Sequence, residues 1–318
     1  MTYLLFVIGF VILIKGADLL VDGSSSLAKQ FHISDLVIGL TIVAFGTSAP
    51  ELVVNLIASY KGNTELAVTN VLGSNIANTF IAVGAAAIIT PLTVQRNTVS
   101  KEIPLSVLAG LVVAFVCNDV FLNGDVSSRI TRGDGLVLLS FFAVFFVYTL
   151  TIAKRDLDSV AQDPDLMSPA KAVVFIILGL AGLTVGGDWI VNGAIAVARV
   201  FGMSEALIGL TVVAVGTSLP EIVTSCTAAY KGRKDIAIGN AVGSNIFNVF
   251  WVLGLSSVIR ELPFDSKINL DVAVNLLAGF LLFAFLFIRN RTHTMGRVKG
   301  VLFLFFYAAY ISIAIWRG

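Results

Sequence analysis

The 318-residue chain is 57% hydrophobic and 13% charged, against a charged share of roughly 25% in soluble proteins. A soluble fold could not cover that much apolar surface, so a soluble enzyme and a disordered chain are both excluded. The net charge of +1 lacks the basic surplus that phosphate recognition needs, which removes a nucleic-acid binder as well.

In chain order, apolar stretches at 2–22, 35–59, 65–90, 102–118, 134–153, 170–199, 205–229, 235–259, 270–288 and 298–316 alternate with polar or Pro/Gly-bearing breaks. Each approaches the roughly 20 residues that a helix needs to cross a bilayer. The sequence therefore predicts an all-α integral membrane protein of ten transmembrane helices, set in the lipid bilayer. Met1-Thr2-Tyr3 lacks the basic segment of a signal peptide, so the first stretch reads as an uncleaved span. The most polar interior connection, KRDLDSVAQDPDLMS from Lys154 to Ser168, is too short for a regulatory domain. It divides the chain into a five-helix repeat at 1–153, a linker at 154–169 and a second five-helix repeat at 170–318.

Connections after the odd-numbered stretches hold thirteen Lys and Arg, among them Lys29, Arg96, Lys154 and Lys231. The opposite side holds seven, among them Lys61, Arg129 and Arg260. The positive-inside rule then places both termini outside the cytoplasm of a cell-membrane protein. Cys117 and Cys226 lie in apolar runs and read as buried free thiols. His32 and His293 sit in separate polar connections, so no zinc cluster is expected.

The chain repeats itself at an offset of 170 residues. Ile38 to Gly84 reads IGLTIVAFGTSAPELVVNLIASYKGNTELAVTNVLGSNIANTFIAVG, and Ile208 to Gly254 reads IGLTVVAVGTSLPEIVTSCTAAYKGRKDIAIGNAVGSNIFNVFWVLG. The same offset aligns GADLLVDG from Gly16 with GGDWIVNG from Gly186. Five spans per half is an odd number, so the second half must enter the membrane from the opposite side. That is an inverted repeat, the architecture of many secondary transporters.

Two motifs carry chemistry inside the apolar spans. GTSAPE ends at Glu51 and GTSLPE at Glu221, and a carboxylate there is kept only with a partner. Pro50 and Pro220 each remove a backbone donor, which is expected to free carbonyl oxygens around Ala44 and Ala214. Thr47, Ser48, Thr217 and Ser218 add hydroxyls three or four residues before each glutamate, on one helical face. GSNIAN and GSNIFN place Ser74 four residues before Asn78, and Ser244 four before Asn248. Every donor in this inventory is oxygen, which suits a hard cation such as Ca²⁺ and not zinc or copper. Two ionised glutamates would repel unless a cation or protons neutralise them.

These doubled strings resemble the alpha motifs of the sodium/calcium exchanger family, in the cation/calcium exchanger superfamily, over nearly the whole chain. The resemblance implies that Glu51 and Glu221 coordinate the transported ion. It makes Thr47, Ser48, Ser74, Asn78, Thr217, Ser218, Ser244 and Asn248 their helpers, and assigns backbone carbonyls at Ala44 and Ala214. Some prokaryotic members of the family look to have aspartate where this chain has Asn248. Here both halves carry asparagine, so one Ca²⁺, two Na⁺ or two protons balance the two carboxylates.

The expected function is a secondary antiporter that exchanges Ca²⁺ for Na⁺ at one shared midplane site, with no cofactor and no enzymatic activity. A Ca²⁺/H⁺ antiporter on the same fold is the alternative, and a cation channel ranks below it because channels draw ligand rings from several subunits. Asp18 and Asp188, matched across the repeat, are read as interfacial packing or capping residues, with Lys15 either snorkelling to the interface or paired to Asp18.

Overall fold

The computed structural model describes residues 2–62, 64–96, 98–124, 127–155, 166–203, 214–287 and 292–317. The chain runs through α1 (Thr2–Gln30), α2 (Asp35–Thr47), α3 (Ala49–Lys61), α4 (Leu66–Ile89), α5 (Thr98–Val116) and α6 (Arg132–Ala153). The second half supplies α7 (Pro169–Val200), α8 (Ala214–Thr217), α9 (Leu219–Tyr230), α10 (Lys234–Ile259), α11 (Ser266–Phe287) and α12 (Arg297–Trp316). Among the described residues, eight helices are long and apolar enough to cross a membrane, and the bent pair α2–α3 makes a ninth. The span expected at 205–229 lies partly outside the described residues, and α8 and α9 are its described part. Most of the linker expected at 154–169 lies outside them too.

The two halves meet head to tail. Gly9, Gly16 and Gly23 recur every seven residues on α1, and Gly179, Gly186 and Gly193 do so on α7, so each set forms one stripe. Gly9 packs on Gly186, Gly16 on Gly179, and Gly23 on Ala172. Residue numbers rise along one helix as they fall along the other, so these repeat-related helices are antiparallel. The approach is close enough that a Cβ on Gly16 would lie 2.7 Å from the Leu183 nitrogen, and one on Gly179 2.6 Å from that of Leu20. Small residues let helix backbones approach this closely inside a membrane.

Burial identifies the centre of the molecule. In α4 and α10, 72% and 78% of the spanning positions are buried, against 17% in α6 and α12. The outer helices pack on the central ones through aromatic pairs. Phe80 of α4 meets Phe303 of α12 at 5.3 Å, and Phe247 of α10 meets Phe142 of α6 at 5.1 Å. Short strands join the halves again at the periphery: β1 (Leu92–Thr93) pairs antiparallel with β4 (Thr294–Met295), and β2 (Ser128–Ile130) with β3 (Leu262–Phe264).

Candidate ion-binding site between the repeats

Each GTS-x-PE motif folds as a broken helix. The chain turns 45° between α2 and α3, pivoting on Ser48 at φ −84°, ψ 3°. Ser218 takes nearly the same conformation, φ −88°, ψ 2°, between α8 and α9. Pro50 and Pro220 then sit in the first turn of the following helix, where a missing N–H costs no hydrogen bond. Each glutamate follows directly, in the first turn of α3 or α9.

The GSN motifs bend the central helices differently. Asn78 starts a run of wider π-helical turns, Asn78–Val83, and Asn248 starts its counterpart, Asn248–Leu253. Such turns occur often at functional sites because they loosen the local backbone bonding.

These four irregular points converge. Ser48, from the first repeat, donates its hydroxyl to Glu221 Oε1 of the second at 2.9 Å. Glu51 and Glu221 lie within Coulombic reach of one another, and Ser74 lies beside Glu51. Both glutamates, Ser74, Asn78, Ser218, Ser244 and Asn248 are 0% exposed, and Thr47 and Ser48 are almost fully buried. Thr217 alone among the predicted side chains is half-buried.

Much of this polar surface has no protein partner. Both carboxylate oxygens of Glu51, Oε2 of Glu221, the hydroxyls of Ser74, Ser218 and Ser244, and the amide oxygens of Asn78 and Asn248 are buried without a hydrogen bond. Buried polar atoms are otherwise nearly always satisfied, and an unpaired one carries a large desolvation penalty. The cluster is thus a set of oxygens that a hard cation would complete. Among the described residues no group of three or more His, Cys, Asp or Glu side chains gathers, which leaves no thiolate or imidazole cage.

One expectation is corrected. The carbonyl of Ala44 is not freed, because it accepts the Ser48 backbone N–H at 3.0 Å. Proline removes the bond to the residue four positions before it, which is Gly46 and not Ala44. Ala214 opens α8, and Ser218 N–H bonds the Val215 carbonyl at 3.1 Å.

Sequence reasoning also passed over Asn240 and Asn70. Asn240 of α10 accepts the Thr47 hydroxyl at 3.0 Å, and Asn70 of α4 accepts that of Thr217 at 3.3 Å. Asn75 and Asn245 join the central helices across the repeats: Asn75 donates to the Asn245 carbonyl and accepts from Asn248, while Asn245 donates to Thr79. The signal for Asn70 and Asn240 was available. In NVLGSNIAN and NAVGSNIFN each lies four residues before the serine and eight before the last asparagine, on one helix face.

Comparison with known proteins bears directly on this arrangement. The family model described as sodium/calcium exchanger protein matches residues 1–151 and 171–316. The chain belongs to the sodium/calcium exchanger family. The sodium/calcium exchanger MaX1 of Methanosarcina acetivorans is 31% identical to it, over 99% of this chain and 98% of that protein. The putative antiporter CaxA of Alkalimonas amylolytica is 36% identical over 95% of each. A solved structure of the sodium-calcium exchanger NCX_Mj, soaked with 2.5 mM Na⁺ and 0.1 mM Sr²⁺, superposes with a TM-score of 0.82 at 32% identity, covering 98% of both chains. The break at Ser48 has its repeat mate at Ser218.

Proposed function

We propose that this exchanger moves Ca²⁺ against Na⁺ by alternating access to one midplane site built from both repeats. Glu51 and Glu221 supply the charge. Thr47, Ser48, Ser74, Asn78, Thr217, Ser218, Ser244 and Asn248 supply neutral oxygens, with the backbone near Ala44 and Ala214 lining the breaks. The carrying observation is the bond from Ser48 of one repeat to Glu221 of the other, beside a second glutamate whose two oxygens have no protein partner.

The physical chemistry follows from the burial. A bare pair of carboxylates in a dry site is costly, so occlusion is favourable only when cations balance it. One Ca²⁺ or two Na⁺ do so equally, which makes the two ions alternative occupants. The antiparallel pair α1–α7, held in close contact along its glycine stripes, is suited to move as one unit past the remaining helices. The division at 1–153, 154–169 and 170–318 assigns one half-site to each repeat. Both termini are assigned to the outside by the charge bias of the connections.

The test is ⁴⁵Ca²⁺ uptake into proteoliposomes with Na⁺, K⁺ and pH gradients imposed separately. Uptake driven by outward Na⁺ alone supports the reading. Uptake driven only by a pH gradient would replace Na⁺ with H⁺ as the counter-ion.

A further inference from the structure

We infer that Asn240 is a positioning residue for exchange, setting both the orientation of the Thr47 hydroxyl and the spacing of the two half-sites. Its side chain is 0% exposed and uses its amide on both sides. Oδ1 accepts from Thr47 Oγ1 at 3.0 Å. Nδ2 donates to the Glu221 carbonyl at 3.1 Å and to Ser225 Oγ at 3.0 Å. One residue of α10 thereby ties the break in the first repeat to the first turn after the break in the second.

The consequence for Thr47 is chemical. A hydroxyl has one proton and two lone pairs. Once the proton is committed to Asn240 Oδ1, the lone pairs are left for a cation. Without that acceptor, the proton is free to turn to the Ala44 carbonyl, 3.3 Å away, or to a carboxylate, and Thr47 then competes with the ion for charge. The bonds from Nδ2 anchor the main chain at Glu221, so the carboxylate is held from its own backbone.

The repeat supplies an internal comparison. Asn70 accepts from Thr217 at 3.3 Å, but its Nδ2 has no partner. The residue matching Ser225 is Asn55, whose amide atoms are also buried without partners. The clamp is therefore complete at Asn240 and half made at Asn70, so the larger effect is assigned to Asn240.

This inference rests on the exchange reading, and the test separates the two. Na⁺-driven ⁴⁵Ca²⁺ uptake is measured for the parent protein, Asn240→Leu, Thr47→Val and the double variant, with detergent melting curves recorded in the presence and absence of Ca²⁺. Asn240→Leu is expected to raise the KM for Ca²⁺ about tenfold, the scale of one hydrogen bond at a charged site, with a smaller change in maximal rate. Addition of Thr47→Val to it should change KM little further, because coupled residues are not additive. Ser225→Ala leaves Thr47 its acceptor and removes one of the two acceptors that hold Nδ2, and so gives a second route if the leucine variant does not fold. It should raise the KM by less than Asn240→Leu does. An unchanged KM in Asn240→Leu, fully additive effects, or an unchanged KM in Ser225→Ala would overturn the assignment. Absence of uptake by the parent would instead overturn the exchange reading itself.

Discussion

Lys231 Nζ lies 2.8 Å from Asp22 Oδ1 and 3.1 Å from Asp18 Oδ1, pinning the end of α9 to α1. Thus Asp18 pairs with Lys231 as well as with Lys15, which sits at 3.8 Å and is largely exposed. The repeat mates of this trio are Lys61, Asp188 and Asn192. Lys61 and Asp188 are both exposed, and among the described residues no ion pair joins them. The inverted repeat places Lys61 and Lys231 at opposite membrane faces, so the clamp is closed at one face alone.

Removal of this clamp should change Ca²⁺ affinity differently at the two faces. If Lys231 holds its own face shut, ions entering there meet a small competent fraction, which raises their apparent KM. In oriented vesicles, Lys231→Met is expected to lower the KM at that face by about two- to fivefold, given the modest strength of half-exposed ion pairs. Lys61→Met should leave that value unchanged. Equal shifts at both faces, or none, would remove the clamp from the account.

Replacement of either glutamate by its neutral isostere separates transport from folding. Glu51→Gln and Glu221→Gln should each abolish Na⁺-driven Ca²⁺ uptake, since the remaining single charge no longer balances a divalent ion. Stability in ion-free detergent should not fall, and for Glu51→Gln it should rise. Both Glu51 oxygens are buried without a partner, and removal of an uncompensated buried charge relieves its desolvation cost and the repulsion from Glu221. A melting temperature lowered along with uptake would point to a structural role for Glu51.

Much of this architecture was legible because a membrane makes polarity conspicuous. Glu51 and Glu221 stand out in apolar spans, and the 170-residue offset identifies their partnership without any structure. What escaped depends on geometry that only the fold creates. Ala44 looked free because proline was expected to act one turn earlier than it does, whereas the bend falls at Ser48 and reaches Gly46. Asn240 lies outside the GTS and GSN strings, and its importance comes from contact with Thr47, 193 positions away. The two-residue β1 carries too short a pattern to be read, and it exists because its partner β4 comes from the other repeat.

The glycine stripe on α1 and α7 should tolerate no side chain at its tightest points. Gly179→Val puts a branched group where even a Cβ would lie 2.6 Å from backbone nitrogen, so the two helices must separate. Uptake is expected to be lost and the melting temperature lowered. Gly187→Ala is the control, because its nearest neighbour is 3.9 Å away, and it should behave as the parent protein. A functional Gly179→Val protein would show that the two helices do not depend on this approach.

Each repeat also buries a carboxylate that the ion site does not use. Tyr148 of α6 donates its hydroxyl to Glu102 Oε1 at the start of α5, and Tyr310 of α12 donates to Asp271 Oδ1 at the start of α11 at 2.9 Å. The pairs join the fourth and fifth spans of their own repeats, so their expected effect is on stability rather than on ion affinity. Glu102 is fully buried and its other oxygen has no partner. Tyr148→Phe therefore strips its remaining donor and should cost about 1–3 kcal/mol, read as a lower melting temperature in detergent with an unchanged KM for Ca²⁺. Pairing Tyr148→Phe with Glu102→Leu removes the stranded acceptor too, and should recover part of the loss because the two effects are coupled. If the double variant is as unstable as the sum of the single ones, the tyrosine–carboxylate bond is not what joins these spans.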